Sequence, residues 1–270
     1  MVTSGPHSFQ LRDSLANSVA EENTFLKGIE NMSGETVQDF DIRNSLSMLF
    51  ATRFVSYQWP DSEKLNQELT ELILASERSD DEGRGIRSNA GGWQSRGNLI
   101  IWPDPCIQML KQRVETIVFS LLGKIVRNEG TERTFTLLID SWANVCRNRN
   151  YNVVHTHPNA MWSVVYYVSA GEPDESMPYS GLLELLDPRE SANCIQIPNT
   201  VLDTPALIEN IPGRMILFPS WAKHMVHPFV GSGVRISIAS NISVVEKTRT
   251  PRVQNHLPGT ATATLRSDSG

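Results

Sequence analysis

The sequence predicts an α+β protein that is mainly β, with an antiparallel barrel of the jelly-roll or cupin type behind N-terminal helices. Two observations support this fold class. Helical patterns are confined to the first half of the 270 residues. Strand patterns separated by Gly, Pro, Asn or Asp fill most of the second half, and this segregation favours an antiparallel sheet system over alternating βαβ units.

The first half contains one predicted strand and two predicted helices. A run rich in apolar and aromatic residues predicts the first strand over Leu46–Trp59, and Pro60 ends it. Asp61 or Ser62 then caps a helix whose leucines recur at helical spacing. A longer helical pattern covers Pro103–Asn128, and its wide apolar face predicts a helix that packs on the back of a sheet.

A Gly-rich loop, Ser88–Ser95, lies between the two helices. It lacks the Gly-Lys-Ser/Thr ending of a phosphate-binding loop. Two interpretations remain open for it: a turn that holds a packed Trp93, and a lid over a ligand pocket.

The second half contains six predicted strands bounded by turn-forming residues. Their apolar and β-branched residues are typical of a sheet with one buried face. The strands are predicted over Thr134–Cys146, Met161–Ser169, Gly181–Asp187, Ala206–Ile211, Gly213–Pro219 and Gly233–Val245.

The chain is predicted to form one folded domain with two loosely attached ends. Residues 1–38 are polar and predict an arm, with a short helix near Leu15–Phe25. Residues 39–246 predict the single domain, with its barrel core at about 134–245. Residues 247–270 contain few large apolar side chains and predict a flexible tail. Mobile ends and open sheet edges leave room for a homodimer.

The composition excludes several classes of partner. A formal net charge of −6 argues against a nucleic-acid partner. The N-terminus lacks the basic start and apolar core of a signal peptide, and no apolar run is long enough to span a membrane. We therefore expect a cytoplasmic protein without a membrane partner. Cys106, Cys146 and Cys194 predict reduced thiols rather than a disulfide framework, with the first in a helix core and the second in a strand core.

The histidines provide the main indication of chemistry, because four of the six lie in two clusters. His155 and His157 are two residues apart, so in an extended segment both imidazoles point to the same side. A third imidazole comes from His224 or His227. We favour His224, because the Pro228 that follows His227 favours a turn there. Any single histidine is more often a surface residue, but the combination indicates a mononuclear metal site.

Arg235 is the second unusual residue, because it lies on a strand between Val234 and Ile236. Burying a guanidinium is unfavourable unless an anion accompanies it. The anion could be a dicarboxylate co-substrate, to which Ser237 on the same face would add a hydroxyl. The alternative is a structural ion pair.

In combination, seven motifs between Leu46 and Val245 resemble the iron(II)- and 2-oxoglutarate-dependent oxygenases, and more narrowly their subgroup with a His-Thr-His-Pro signature. Each motif alone is weak, whereas their combination and order are specific. The motifs are Ser88–Ser95, Ser141–Asn144, His155-Thr-His157-Pro, Ser163–Tyr167, Leu186–Arg189, Gly213–Ser220, and His224 with Arg235-Ile-Ser-Ile.

The resemblance implies a double-stranded β-helix that uses iron(II), 2-oxoglutarate and dioxygen to oxidise an unactivated C–H bond, with release of succinate and CO2. By position, His155 and His224 would bind iron. Arg235, helped by Ser237, would hold the far carboxylate of 2-oxoglutarate. The co-substrate would also touch one of two residues on neighbouring strands, Asn144 or Tyr151.

One position departs from the wider superfamily, which has Asp or Glu where this chain has His157. We favour His157 as the third iron ligand. Alternatively, a carboxylate such as Asp187 completes the site, or His157 is the first ligand and Asn159 takes the carboxylate position. The last arrangement would leave room for chloride and suggest a halogenase. Neither residue is small, as such enzymes require, so hydroxylation is the better interpretation.

The substrate is predicted to be a small molecule, such as an amino acid derivative or a secondary-metabolite intermediate. The resemblance places Gly92, Trp93 and Trp162 at its pocket, and Trp221 is a further candidate. Arg189 and Arg214 would suit a carboxylated substrate, although tryptophans are usually core residues and exposed arginines are usually solvated. Two other functions remain open: a non-oxygenase metal-dependent cupin and a scaffold without catalytic activity.

Overall fold

The computed structural model describes residues 51–80, 88–126, 133–189, 206–247 and 260–265. By its internal contacts the chain divides into two compact units, Met1–Ala51 and Thr52–Gly270. Apart from Ala51, the first unit lies outside the described residues, as do the predicted N-terminal arm and the helix near Leu15–Phe25. The predicted boundary at residues 38 and 39, the homodimer and the cytoplasmic location stay predictions.

The described first half of the chain contains the two α-helices that the helical periodicity predicts and three short strands, two of which lie within the Gly-rich segment Ser88–Ser95 that was predicted to be a loop. No helix among the described residues is long and apolar enough to cross a bilayer. The elements are β1 (Val55–Gln58), α1 (Glu63–Ser79), β2 (Asn89–Ala90), β3 (Trp93–Gln94), a 3-10 turn (Leu99–Ile101) and α2 (Pro105–Ile125).

The second half is built from strands, and every predicted strand is present with shifted ends. Three further strands, β5, β10 and β12, were not predicted as separate elements. The strands are β4 (Arg133–Cys146), β5 (Tyr151–His155), β6 (Trp162–Pro173), β7 (Leu183–Leu185), β8 (Ala206–Ile208), β9 (Arg214–Pro219), β10 (His224–Val226), β11 (Gly231–Lys247) and β12 (Thr260–Leu265).

Two antiparallel sheets form the barrel in the described part of the chain. The major sheet has seven strands in the order β1-β9-β6-β11-β4-β12, with β3 also paired to β4. The minor sheet has five strands in the order β2-β5-β10-β7-β8. From β4 to β11 the chain passes repeatedly between the two sheets. This winding is a double-stranded β-helix, and it confirms the predicted mainly β fold with flanking helices.

The two faces of the major sheet carry different side chains. On β6, Val164 and Tyr166 belong to the core that includes α1 and α2, whereas Val165 and Tyr167 belong to a second cluster with residues of the minor sheet. Successive strand residues point to opposite faces, which produces this division. We call the face turned toward the helices the helix face, and the face turned toward the minor sheet the inner face.

Helix α2 packs on the helix face, as its apolar stripe predicts. Pro105 occupies its first turn, where the missing N–H loses no helical hydrogen bond. Burying one large apolar side chain stabilises the fold by about 1.5–3 kcal/mol. The stripe that packs against the sheet is Ile107, Leu110, Val114, Val118 and Leu122.

Strand β12 corrects part of the tail prediction. Thr260–Leu265, within the segment predicted to be flexible, pairs with β4 at the edge of the major sheet. The sequence Thr-Ala-Thr-Ala-Thr-Leu has β-branched residues at alternate positions, which suits an edge strand although its hydrophobicity is low. The remainder of the predicted tail beyond Lys247 lies outside the described residues.

A polar network around Arg113 joins α1, α2 and β6. One guanidinium nitrogen donates to Ser62 Oγ at 2.7 Å and to the Tyr166 hydroxyl at 3.0 Å. That hydroxyl donates to Asn66 Oδ1 at 2.7 Å. The guanidinium also lies 5.2 Å from the centre of the Trp59 ring. These contacts orient both helices on the helix face, which supports the barrel from behind.

Replacing Arg113 should therefore destabilise the protein. We expect Arg113→Met to lower the free energy of unfolding by about 1–3 kcal/mol, because Ser62 and Tyr166 lose a charged partner in a partly buried site. Urea denaturation would show this loss of stability as a lower midpoint concentration, while the dependence of the unfolding free energy on urea concentration stays unchanged. The control is Lys64→Met, whose side chain is 89% exposed and whose loss should change stability by less than about 0.5 kcal/mol. Equal effects of the two changes would contradict the role of the network.

Candidate metal centre

Three histidines meet at one end of the barrel. His155 is the last residue of β5, and it lies opposite His224, the first residue of β10. His157 lies two residues beyond the end of β5, in the turn, where its N–H donates to Ser220 O at 3.0 Å. A strand with both histidines on one face was expected, but a turn brings them together. Their candidate ligand atoms all lie within 4.8 Å of one another.

The imidazoles are oriented by backbone carbonyls. His155 Nδ1 donates to Val153 O at 2.7 Å, and His224 Nδ1 donates to Ala222 O at 2.9 Å. Because a carbonyl only accepts, each Nδ1 carries the proton and each Nε2 keeps a free lone pair. His157 Nε2 lies 3.3 Å from His224 Nε2. Two nitrogens bound at right angles to one metal at about 2.1 Å lie about 3 Å apart, so this spacing fits a shared ion.

Burial favours the uncharged form of two of the histidines, His155 and His224. Burial, assisted by the neighbouring His155, lowers the pKa of His224 to about 4. Burial also lowers the pKa of His155. The ring of Phe218 lies 5.0 Å from that of His224, and Trp142 lies 5.6 Å from His157. A neutral imidazole is the form that binds a metal. At neutral pH these side chains therefore need not lose a proton before they bind a cation.

The alternative ligands lie elsewhere or have other partners. The Asp187 carboxylate bonds Arg189 at 2.6 Å, and it belongs to no cluster of metal-binding geometry among the described residues. His227 Nε2 lies 2.7 Å from Glu184 Oε2, with Tyr179 stacked on its ring. Asn159 has a left-handed φ of 68° in the turn. The described residues therefore supply three histidines and no carboxylate.

Arg235 lies deep in the barrel and is 1% exposed. Its Nε donates to Gly181 O at 3.1 Å, while Nη1 has no hydrogen-bond partner. The guanidinium lies 5.8 Å from the centre of the Tyr167 ring. No carboxylate of the described residues pairs with it, which disfavours the structural ion pair. A buried cation with an unused donor fits an anionic ligand.

Tyr167 is a residue that the sequence analysis missed. It is fully buried, and its hydroxyl has no hydrogen-bond partner. Burial raises its pKa to about 12, although Arg235 and Arg214 oppose the shift. The hydroxyl therefore keeps its proton and can donate. Its place in the Ser163–Tyr167 motif was visible in the sequence, but its proximity to Arg235 was not.

Two other predicted co-substrate residues, Ser237 and Asn144, lie on the same face of the major sheet as Arg235. Ser237 and Asn144 lie opposite each other in register on β11 and β4, and both are buried. Asn144 Oδ1 accepts from Gln94 Nε2 at 2.6 Å. This places Ser237 and Asn144 two residues along their strands from Arg235 and its partner Cys146, on the same face of the sheet as Arg235.

Tyr151 was predicted to touch the co-substrate, but a bulge in β5 changes which residue points inward. Three steps on β5, from His155 to Asn152, match two on β10, from His224 to Val226. Asn152 therefore lies beside the inner residue Val226 and is buried. Tyr151 falls on the other side and is 36% exposed.

Two predicted substrate residues contact the core on the helix face. Trp162 is buried in the core on the helix face, and Trp93 packs against the same core, so this packing favours a structural role for both. Gly92 allows the β2–β3 turn to pack closely, since an added Cβ would lie 2.6 Å from Val145 O. Large apolar side chains fill the core or line a pocket equally well, so the sequence does not distinguish these roles.

The remaining predicted substrate residues lie at different ends of the barrel. Trp221 is 54% exposed and follows Ser220, which accepts the N–H of His157. Its backbone therefore lies next to the turn that holds His157. Arg189 is paired with Asp187. Arg214 begins β9, at the opposite end of that strand from the metal centre, and donates to Glu209 O at 3.3 Å.

Comparison with known proteins identifies a family match over the barrel. Residues 140–241 match the family model described as "Putative 2OG-Fe(II) oxygenase". This range includes all three histidines and Arg235. No curated protein matches the sequence. The family match confirms the resemblance to iron(II)- and 2-oxoglutarate-dependent oxygenases.

Several solved structures are similar to the chain at low identity. A prolyl-4-hydroxylase from Pseudomonas putida has 12% identity and a TM-score of 0.47, covering 70% of this chain and 91% of that chain. The carbocyclase SnoK from nogalamycin biosynthesis has 13% identity and a TM-score of 0.47, covering 70% and 78%. HygX from Streptomyces hygroscopicus, with nickel and 2-oxoglutarate bound, has 10% identity and a TM-score of 0.44, covering 71% and 82%.

The low pKa of His224 predicts how stability depends on pH. In protein stripped of metal, the free energy of unfolding should fall as the pH is lowered from 6.5 to about 4. Unfolded His224 takes up a proton at its usual pKa of 6.5, whereas the folded side chain resists protonation until about pH 4. Urea denaturation at a series of pH values would measure the effect. His224→Gln should reduce the pH dependence in this window, and an unchanged profile would contradict the assignment.

Proposed function

We propose that this chain, whose residues 140–241 match the 2OG-Fe(II) oxygenase family model, hydroxylates an unactivated C–H bond of a small molecule, with release of succinate and CO2. Its cofactors are iron(II), 2-oxoglutarate and dioxygen. The observation that carries the assignment of residues is the combination of three converging histidines with a buried, unpaired cation in the same barrel. A metal-binding scaffold without a co-substrate would have no use for that cation.

His155, His157 and His224 would hold the iron. When bound, iron(II) supplies the centre at which 2-oxoglutarate chelates and dioxygen reacts. The carbonyls of Val153 and Ala222 fix the two strand histidines with Nε2 forward, so little reorganisation is needed on binding. Three neutral imidazoles provide one negative charge fewer than two imidazoles and a carboxylate, which should lower the affinity for the cation.

Arg235 and Tyr167 would bind the far carboxylate of 2-oxoglutarate. Both offer a buried donor without a partner, and charge-assisted hydrogen bonds are stronger where water is excluded. Ser237 and Asn144 are positioned in register beside them. Tyr167 belongs to the inner apolar cluster with Val165 and Leu183, which would exclude water around its hydroxyl.

Hydroxylation is favoured over halogenation by the ligand count. Three histidines would supply a full set of three protein ligands to iron(II), so no protein position would be left for a chloride. The non-oxygenase cupin is disfavoured because it gives no reason for an unpaired Arg235.

The chelate of iron(II) and 2-oxoglutarate provides the first test. Under anaerobic conditions the wild type should show a weak visible charge-transfer band when both are added, and His157→Ala should abolish it, because the third ligand is lost. Asp187→Ala is the control and should keep the band, since that carboxylate is paired with Arg189. A band that survives His157→Ala would place the third ligand elsewhere. Absence of the band from the wild type would refute the proposed function.

The co-substrate assignment predicts graded losses of affinity. Arg235→Ala should weaken 2-oxoglutarate binding by about 100-fold or more, because the carboxylate loses a charged partner in a dry site. Tyr167→Phe removes one neutral hydrogen bond and should weaken it by about tenfold. Titration of the same band measures both constants.

The matched control for these variants is Arg189→Ala, which removes an exposed arginine and should leave 2-oxoglutarate affinity unchanged. Circular dichroism would verify that each variant is folded. Equal affinity in Arg235→Ala and the wild type would show that Arg235 does not bind the co-substrate.

A further inference from the structure

The inner face of the major sheet carries a second pair of unpartnered polar groups, far from Arg235. Ser163 is 3% exposed, and its Oγ has no hydrogen-bond partner. Asn241 Oδ1 is likewise shielded from solvent and unpartnered. The two residues lie directly opposite each other on β6 and β11. Two adjacent buried groups without partners are unusual, because each unsatisfied group costs about 1–3 kcal/mol.

The pair belongs to a row that crosses four strands. Asn241 lies opposite Asp140 on β4, and Ser163 lies opposite Phe218 on β9. Asn241 is on the inner face because it is six residues from Arg235 in an unbroken register with β4. An even number of steps along a strand returns to the same face. We call Asp140, Asn241, Ser163 and Phe218 the polar row, after its three polar members; Phe218 is its apolar end.

The polar row lies at the metal centre. The Phe218 ring is 5.0 Å from that of His224, and Ser220, two residues further on, accepts the N–H of His157. Six residues of strand span about 20 Å, so the row is well separated from Arg235. The co-substrate site extends from the metal toward Arg235, and the row lies at the other end of the same face. That end is where a substrate would approach.

The chemistry of the row selects among substrates. Asn241 Oδ1 and the Asp140 carboxylate accept hydrogen bonds, and the Ser163 hydroxyl accepts or donates. The row contains no lysine or arginine. A ligand group with N–H or O–H donors satisfies the unpartnered oxygens of Ser163 and Asn241, whereas a carboxylate offers only acceptors and cannot satisfy Asn241 Oδ1. Both unpartnered atoms are shielded from water, which strengthens a hydrogen bond once it forms.

We propose that Ser163 and Asn241 bind the substrate beside the metal, and that the substrate presents a hydroxyl or amine there rather than a carboxylate. This inference rests on the proposed function. It replaces the carboxylated substrate expected from Arg189 and Arg214, because Arg189 is paired with Asp187 and Arg214 lies at the far end of β9. The exposed Trp221, whose backbone lies next to the turn that holds His157, offers a surface for the apolar part of such a molecule.

The test uses the wild type loaded anaerobically with iron(II) and 2-oxoglutarate. Three probes share one carbon skeleton: cyclohexanol, cyclohexylamine and cyclohexanecarboxylate. Binding next to the metal perturbs the charge-transfer band, and its titration gives a dissociation constant. We expect the alcohol and the amine to bind at least tenfold more tightly than the carboxylate.

Two variants assign the effect to the pair. Ser163→Ala and Asn241→Leu should each weaken the response to the alcohol or the amine by about tenfold, while the band itself and 2-oxoglutarate affinity stay unchanged. The control is Ser232→Ala, which alters an exposed serine of β11 and should change neither quantity. If one variant fails to fold, the other still provides the test.

The possible failures are distinguishable. Absence of the band in the wild type overturns the proposed function and this inference together. A normal band with carboxylate binding as tight as that of the alcohol and amine overturns the inference alone. The same holds if none of the probes perturbs the band, or if both variants respond like the wild type.

Discussion

The pairing of β11 with β4 decides where the important side chains of the barrel lie. From Arg235 to Lys247 the register between these strands is unbroken. Odd-numbered residues near its start therefore face the minor sheet, while Ile236, Ile238 and Ile242 are buried against the helices. A slip of one residue would exchange the two sets, expose isoleucines to the co-substrate and bury Arg235 among apolar side chains. The burial of those isoleucines therefore maintains the geometry of the site.

Polar groups are treated differently on the two faces of the major sheet. On the helix face, the Arg113 network joins its members through several short hydrogen bonds. On the inner face, atoms of Arg235, Tyr167, Ser163 and Asn241 lack partners. Unpaired buried groups reduce stability, and binding of a complementary ligand offsets that loss. These four residues hold half of the eight buried side-chain atoms without a partner among the described residues, which is the physical reason to regard the inner face as the binding surface.

Much of the fold and part of the site could be predicted, because the signals are local. Helical spacing located α1 and α2, and strand composition located most of the barrel. The short strands β5 and β10 were not separated from their surroundings, since three to five residues carry too little pattern. Trp93 and Trp162 pack against the helix-face core, and the sequence did not indicate this, because a large apolar side chain looks the same in a core and in a pocket.

The sequence by itself determined the fold class and the residues able to bind a metal or an anion. These are the clustered histidines and an arginine on an apolar strand. Only the tertiary structure decided which neighbours complete them. Asn152 points inward instead of Tyr151 because β5 bulges against β10. Tyr167 lies close to Arg235, and Ser163 lies opposite Asn241, because β6 pairs with β11, which is about 70 residues further along the chain. Period-two alternation predicts that adjacent residues face opposite ways, but register, bulges and turns decide which of them faces the metal.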